Sequence, residues 1–354
     1  MTVAVVGAGL AGLSAAWELQ EAGADTILLD AGRRPGGMIV TERRDGFVVE
    51  GGPDGFLAAE PDIQDLARAV GIGDRLVDQV ARGSTLWTGR RLEPLAEGKA
   101  AELLGIQVTA NVGAFRTFAG GMFEVVEALI ARLAPRLRTT QGVTAVAPAQ
   151  RGWRLSFTGA SSLDAEAVIL AVPAWVAARL LAGLGVPAAR ALDTVLYAPS
   201  ITISLSYRAD QLPGKLEGSG FVAAPDAGGA VRACTYTWRK YPKRAPQGFA
   251  LLRGFIGPVD GDPAAIAHAE LAAIVGIEGG PLWSRAFHWP RGLPRYPRGH
   301  AERVATVRER LAGFAPLAIA GAGFDGAGVS ACVKSGREAA RTILARLGAR
   351  PVRG

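Results

Sequence analysis

The residues best suited to chemistry are glycines rather than acids or nucleophiles. Gly7-Ala8-Gly9-Leu10-Ala11-Gly12 forms a G-x-G-x-x-G near the start of the chain. Each glycine serves a different physical need. Gly7 permits a tight turn, Gly9 lets backbone amides approach a pyrophosphate, and Gly12 lets a helix pack closely on the preceding strand. Asp30, with Ala31 beside it, stands where a carboxylate can accept hydrogen bonds from ribose hydroxyls. Gly36-Gly37-Met38 and Gly51-Gly52-Pro53-Asp54 are two further loops that would admit a ligand close to the backbone. A last glycine run, from Gly321 to Gly328 and followed by Val329, lies near the other end of the chain.

The motif needs a strand before it, a helix after it and an acid at the end of the next strand. Residues 2–6 are rich in valine and read as a buried strand. Leu13, Ala16, Trp17 and Leu19 recur at helical spacing over 10–22, and Gly23 ends that helix. A second strand over 26–29 delivers Asp30. The spacing therefore predicts a dinucleotide fold, with the amide-rich helix start favouring phosphate. It leaves open whether the ligand is NAD or FAD. A hairpin over 38–50 turns at Asp45-Gly46.

Other chemistries find no support. The sequence shows no Ser-His-Asp set, no carboxylate pair and no context for a nucleophilic cysteine. Cys234 and Cys332 are too few for a disulfide framework or a thiolate metal site. His268, His288 and His300 are too far apart for a helical metal pair. The chain has 354 residues, 49% hydrophobic and 20% charged, which fits roughly two globular domains. Its net charge of +7 is spread along the chain without the compact basic stripe expected of a nucleic-acid binder. The longest apolar run, 167–178, contains Pro173 and falls short of a membrane span. No basic-then-apolar leader opens the chain, and with so few cysteines a cytoplasmic location is expected.

These residues together resemble the flavin amine oxidase superfamily, most closely its protoporphyrinogen oxidase branch. The resemblance is carried by residues 5–16, by Gly36-Gly37 with Thr41, and by 45–57. It implies that these regions hold the pyrophosphate, the ribose and the isoalloxazine edge of FAD. Two departures are visible: Asp30 stands where relatives often have glutamate, and Met38 where many carry a basic residue. The resemblance further implies that the backbone at Val143 meets the adenine, that the loop at Gly321 approaches the pyrophosphate, and that Trp289, Gly328 and Val329 belong to the flavin site. A second strand–glycine loop–helix unit near the C-terminus argues for FAD over NAD.

The fold expected is α/β. A Rossmann-like FAD-binding domain (1–84, 120–175 and 296–354) interleaves with a smaller sheet-plus-helix cap over the substrate (85–119 and 176–295). Helices are predicted over 61–69, 264–275, 303–314 and 330–347, and residues 115–133 read as a loop followed by a helix. Strands are predicted over 142–147, 153–157, 165–172, 220–223, 231–238, 250–255 and 317–320. Over 200–208, alternation of Ile201, Ile203, Leu205 and Tyr207 predicts a half-buried strand. Residues 97–108 give no clear signal. Relatives place a mainly helical insertion between positions matching Leu95 and Gly120, where this chain has only a short bridge. Whether a membrane-contacting face survives that loss is left open, as is the oligomeric state.

The cofactor carries the chemistry in such a protein. The resemblance implies dehydrogenation of a porphyrinogen to the porphyrin, by hydride transfer to flavin N5 with oxygen as acceptor. The alternatives are an FAD-dependent amine oxidase, or another flavin oxidoreductase, and a non-catalytic flavin binder. Arg90, Arg91 and Arg239 are the candidate cations for a substrate's carboxylates.

Overall fold

The computed structural model describes residues 2–96, 98–103, 114–159, 161–214 and 216–348. Thr2–Val6 lies at the centre of a five-stranded parallel sheet, between Asp25–Leu29 and Ala167–Leu170. Leu137–Arg138 and Leu317–Ile319 form its edges. The central strands are apolar on both faces, as parallel strands covered by helices must be. Val3 and Val5 pack on one side with helices Leu10–Glu21, Phe123–Leu133 and Val329–Arg346. Ala4 and Val6 pack on the other with Ala174–Ala182, His300–Ala312 and the small sheet built on Val143–Pro148 and Trp153–Phe157.

A seven-stranded sheet forms the second body. Its order runs Trp283–Trp289, Ser200–Arg208, Phe249–Ile256, Val231–Tyr236, Gly220–Ala223, Ser84–Trp87 and Leu92–Leu95. Helix Pro263–Val275 covers one face, capped by Asp262, whose carboxylate accepts from the Ala264 amide. Ala267 and Leu271 of that helix meet Ile203, Leu205 and Tyr207.

The expected half-exposure of 200–208 does not hold. Thr202, Ser204 and Ser206 are buried as fully as the apolar residues between them. The reason is that this sheet also packs on its other face, where Phe47, Val49, Leu251 and Phe287 form a separate apolar cluster. The strand over 231–238 ends at Tyr236 and gives way to a helical turn, Thr237–Lys240. Residues 115–118, expected as loop, form a strand pairing with Phe56–Leu57 and Leu76–Asp78. Within 97–108, Lys99–Leu103 is helical, while residue 97 and 104–113 lie outside the described residues. No helix among the described residues is long and apolar enough to cross a membrane.

Candidate dinucleotide site

The Gly7–Gly12 turn leaves the central strand at its C-terminal end. Gly7 adopts φ +102°, and a Cβ there would stand 2.3 Å from the Ala171 carbonyl oxygen. Gly12 is packed just as tightly, its would-be Cβ 1.8 Å from the Gly7 oxygen. Gly9 differs, because a Cβ on it would point into open space. Gly9 is also the N-cap of helix Leu10–Glu21, and no side chain caps that end. Gly328 begins helix Val329–Arg346 in the same uncapped way. Both helices follow strands of one parallel sheet, so both present their amides at the same edge. Ala11 lies against Gly336, and Glu18 pairs with Arg337 and Arg341, which locks the helices side by side. Gly321, at φ +115°, approaches the Ala11 side chain, and its amide donates to Ser335 Oγ at 2.8 Å. The two remote glycine loops thus meet.

Asp30 Oδ2 accepts from the Ala8 amide at 2.6 Å, and Oδ1 accepts from Gly32 at 2.7 Å. The carboxylate therefore braces the turn, and its remaining lone pairs stay available for hydroxyls. The Gln141 amide donates to the Asp30 carbonyl, and Gly142 approaches Ala31, which sets Val143 beside this acid. Gly36 forms a parallel bridge with Gly9, and its amide donates to the Ala8 oxygen. Sequence reasoning missed the residue that holds this loop: Arg34 donates to the carbonyls of Pro35, Gly37 and Ile39.

From Gly37 the contacts lead to the second sheet. A Cβ on Gly52 would stand 1.7 Å from the Met38 oxygen, and one on Gly51 would collide with the Phe287 ring. The Gly51 carbonyl accepts from three side chains: Thr202 Oγ1 at 2.9 Å, Trp289 Nε1 at 2.9 Å and Arg253 Nη2 at 3.2 Å. Trp289 thus reaches the glycine turn. Of the other aromatics near it in sequence, Trp283 packs edge-on against Phe47, whereas Tyr296 turns away to donate to the Ala322 carbonyl.

A buried charge cluster lies behind Pro53 and Asp54. Asp54 pairs with Lys240 at 2.9 Å. Burial works against its carboxylate, but Lys240 and Arg253 outweigh that and hold it below its usual value. Glu50 accepts from Thr41 Oγ1 and the Met122 amide and faces Arg244 at 3.7 Å, yet burial pushes its carboxyl up. Arg244 donates to Thr117 and Phe118, while its Nε and Nη1, together with Tyr241 Oη and Thr237 Oγ1, make no hydrogen bond. One signal could have found this cluster: a lone charge inside an apolar strand, as in FVVE and FALLRGFI.

The candidate substrate cations separate. Arg239 is exposed on the helical turn that carries Lys240 to Asp54. Arg90 and Arg91 sit on the turn of the edge hairpin, and Arg91 pairs with Glu93. Three strands intervene between that hairpin and Thr202, so at about 4.8 Å per strand it lies roughly 19 Å away. Burial pushes the Cys332 thiol up to about 12, which fits a packing residue.

Two uncapped helix ends, a glycine whose missing side chain leaves open space and an acid at the second strand define a dinucleotide-binding enzyme of the Rossmann type. Residues 94–344 match the flavin containing amine oxidoreductases, and residues 5–70 match an NAD(P)-binding Rossmann-like domain. The chain belongs to the flavin containing amine oxidoreductase family, and its cofactor is FAD.

It is 23% identical to the coproporphyrinogen III oxidase of Bacillus subtilis (strain 168), over 98% of both chains. That alignment runs over 463 positions against 354 residues here, so more than 100 positions of the relative face gaps. A solved structure from Exiguobacterium sp. 255-15, provisionally assigned as a protoporphyrinogen oxidase, superposes with a TM-score of 0.83 at 22% identity, covering 98% of this chain and 99% of that one. Cyclohexylamine oxidase from Brevibacterium oxydans IH-35A superposes with a TM-score of 0.78 at 16% identity, covering 98% and 99%. At those identities the two structures share the fold.

Proposed function

We propose that this FAD-dependent oxidoreductase dehydrogenates a porphyrinogen, coproporphyrinogen or protoporphyrinogen, to the porphyrin, with oxygen as acceptor. The observation that carries this reading is the end-to-end similarity to a coproporphyrinogen III oxidase. When bound, FAD supplies the acceptor for a hydride from a substrate carbon, at flavin N5.

The chain's own residues bind and orient. The amides at Gly9–Ala11 and the Gly321 loop hold the pyrophosphate, Gly328 and Val329 sit beside the flavin ring, and Asp30 takes the ribose. Gly36, Gly37 and Met38 line the path towards the ring, and Val143 stands at the adenine end. The Gly51–Asp54 turn, clamped by Thr202, Arg253 and Trp289, forms the wall at the ring end. Phe287 and Trp289 exclude water from that wall. An electron-rich macrocycle needs little acid–base help, which suits a site without a catalytic triad. In this proposal 1–84, 120–175 and 296–354 hold FAD, whereas 85–119 and 176–295 cover the substrate. Arg239, exposed on the turn that carries Lys240 to Asp54, is the candidate cation favoured for a substrate carboxylate. The reaction is placed in the cytoplasm, consistent with two unlinked cysteines.

The test is to purify the protein, record flavin absorbance, add coproporphyrinogen III or protoporphyrinogen, and follow porphyrin fluorescence and peroxide. Bound flavin that bleaches with a primary amine, without any porphyrin signal, would replace this reading with amine oxidation.

A further inference from the structure

Strand Phe249–Ile256 is apolar except for Arg253, whose side chain is 3% exposed. Burying a guanidinium is costly unless its donors are used. Arg253 Nη2 donates to the carbonyls of both Gly51 and Gly52, and its guanidinium lies 4.7 Å from the Phe255 ring centroid. Its Nε has no partner. Thr202 and Trp289 already give Gly51 two neutral donors, so anchoring the turn does not by itself require a cation. What Arg253 adds is a fixed positive charge in a dry wall. The charges that face it are Asp54 and Glu50, which pair in turn with Lys240 and Arg244.

The location of that wall gives the charge a purpose. Asp30 and Gly142 mark the nucleoside end of the site. Contacts from Gly9 through Gly37 and Met38 to Gly52 lead away from it to the seven-stranded sheet. The redox end of the dinucleotide falls there. Reduction adds negative charge to a flavin, and a cation in a low-dielectric wall stabilises the reduced form more than the oxidised one.

We propose that Arg253 is a positioning residue for the flavin, fixing the Gly51–Gly52 turn at the ring end and raising the midpoint potential of the bound cofactor. This rests on FAD binding and is independent of the substrate.

The experiment is a redox titration of the holoprotein against a reference dye, with FAD retention measured alongside. Arg253→Met should shift the two-electron reduction equilibrium at least about tenfold towards the oxidised form, about 30 mV. Arg253→Lys, which keeps a cation but loses the planar guanidinium over Phe255, should recover only part of that shift. Trp289→Phe, which removes a neutral donor from the same carbonyl, should weaken FAD retention and leave the potential within about threefold of wild type. Asp54→Asn should move the potential upwards. A folded, FAD-loaded Arg253→Met protein with wild-type potential overturns the proposal, as does a Trp289→Phe shift as large as that of Arg253→Met. Should Arg253→Met not fold, Asp54→Asn decides, since an unchanged or lowered potential there also overturns it. A failure to oxidise porphyrinogen would leave these titrations untouched.

Discussion

Gly336 faces Ala11 so closely that a Cβ there would stand 2.0 Å from the Ala11 carbonyl oxygen. This contact joins the last long helix to the first, and it sets both uncapped helix ends at one edge of the parallel sheet. Alanine in the middle of an exposed helix gains up to about 1 kcal/mol over glycine. Here the backbone clash reverses that gain. Gly336→Ala should lose about 1–3 kcal/mol of stability, read by denaturant unfolding, and should bind FAD more weakly.

Gly9 and Gly12 separate folding from binding. A Cβ at Gly9 meets nothing within 4 Å, whereas one at Gly12 meets the Gly7 oxygen at 1.8 Å. Gly9→Ala should leave apoprotein stability within about 0.5 kcal/mol, since a surface change away from packing has little effect. It should weaken FAD binding at least about tenfold because the methyl occupies ligand space. Gly12→Ala should destabilise the apoprotein itself. Thermal melts and FAD titrations of both variants check this, and equal melting losses would contradict it.

The Asp30 carboxylate holds two amides at once. Asp30→Asn keeps one acceptor and loses the charge. Charge-assisted bonds are worth about 1.5–3 kcal/mol, so FAD affinity should fall about tenfold or more. Fluorescence quenching of FAD by the apoprotein measures it.

Asp54 sets an acid limit. Its folded-state value lies below the usual 3.8, held there by Lys240 and Arg253 against burial. An acid with a depressed folded value contributes stability that is present above its unfolded value and is lost as pH falls through the folded one. The stability difference between wild type and Asp54→Asn should therefore be constant above about pH 5 and shrink as pH falls below about 4. Glu50, pushed up by burial, has the opposite sign: its contribution is greatest at low pH and fades as pH rises through its unfolded value near 4.5. Urea unfolding across pH 3–7 of Asp54→Asn and Glu50→Gln, each against wild type, should give opposite slopes.

Arg239 and the Arg90–Arg91 pair should behave differently. Arg239→Ala should raise KM for a carboxylated porphyrinogen up to about fivefold, the range of an exposed ion pair. Arg90→Ala and Arg91→Ala should leave KM unchanged, because three strands separate their hairpin from the glycine turn. Steady-state kinetics on the three variants decides between these positions.

The parts legible in the sequence were those set by local rules. The turn Gly7–Gly12 with its flanking strand and helix follows from period and glycine spacing, and so do helix Pro61–Ala69, strand Ser200–Arg208 and helix Val329–Arg346. The parts that escaped depend on contacts far apart in the chain. Nothing near Arg253 in sequence tells that Gly51, 202 positions earlier, receives its protons. Thr202, Ser204 and Ser206 look like an exposed face because period-two reading assumes one solvated side, and this sheet has none at that strand. Phe115–Phe118 is a strand because two short partners, Phe56–Leu57 and Leu76–Asp78, lie either side of it. Its own residues carry no such signal.

The edge strand Leu317–Ile319 and the helix after it complete a cradle whose first wall is Thr2–Val6. A ribosome making this chain exposes the opening glycine turn long before it makes the opposing wall. Cofactor loading must therefore wait for that wall, and a nascent chain halted before residue 317 would emerge colourless.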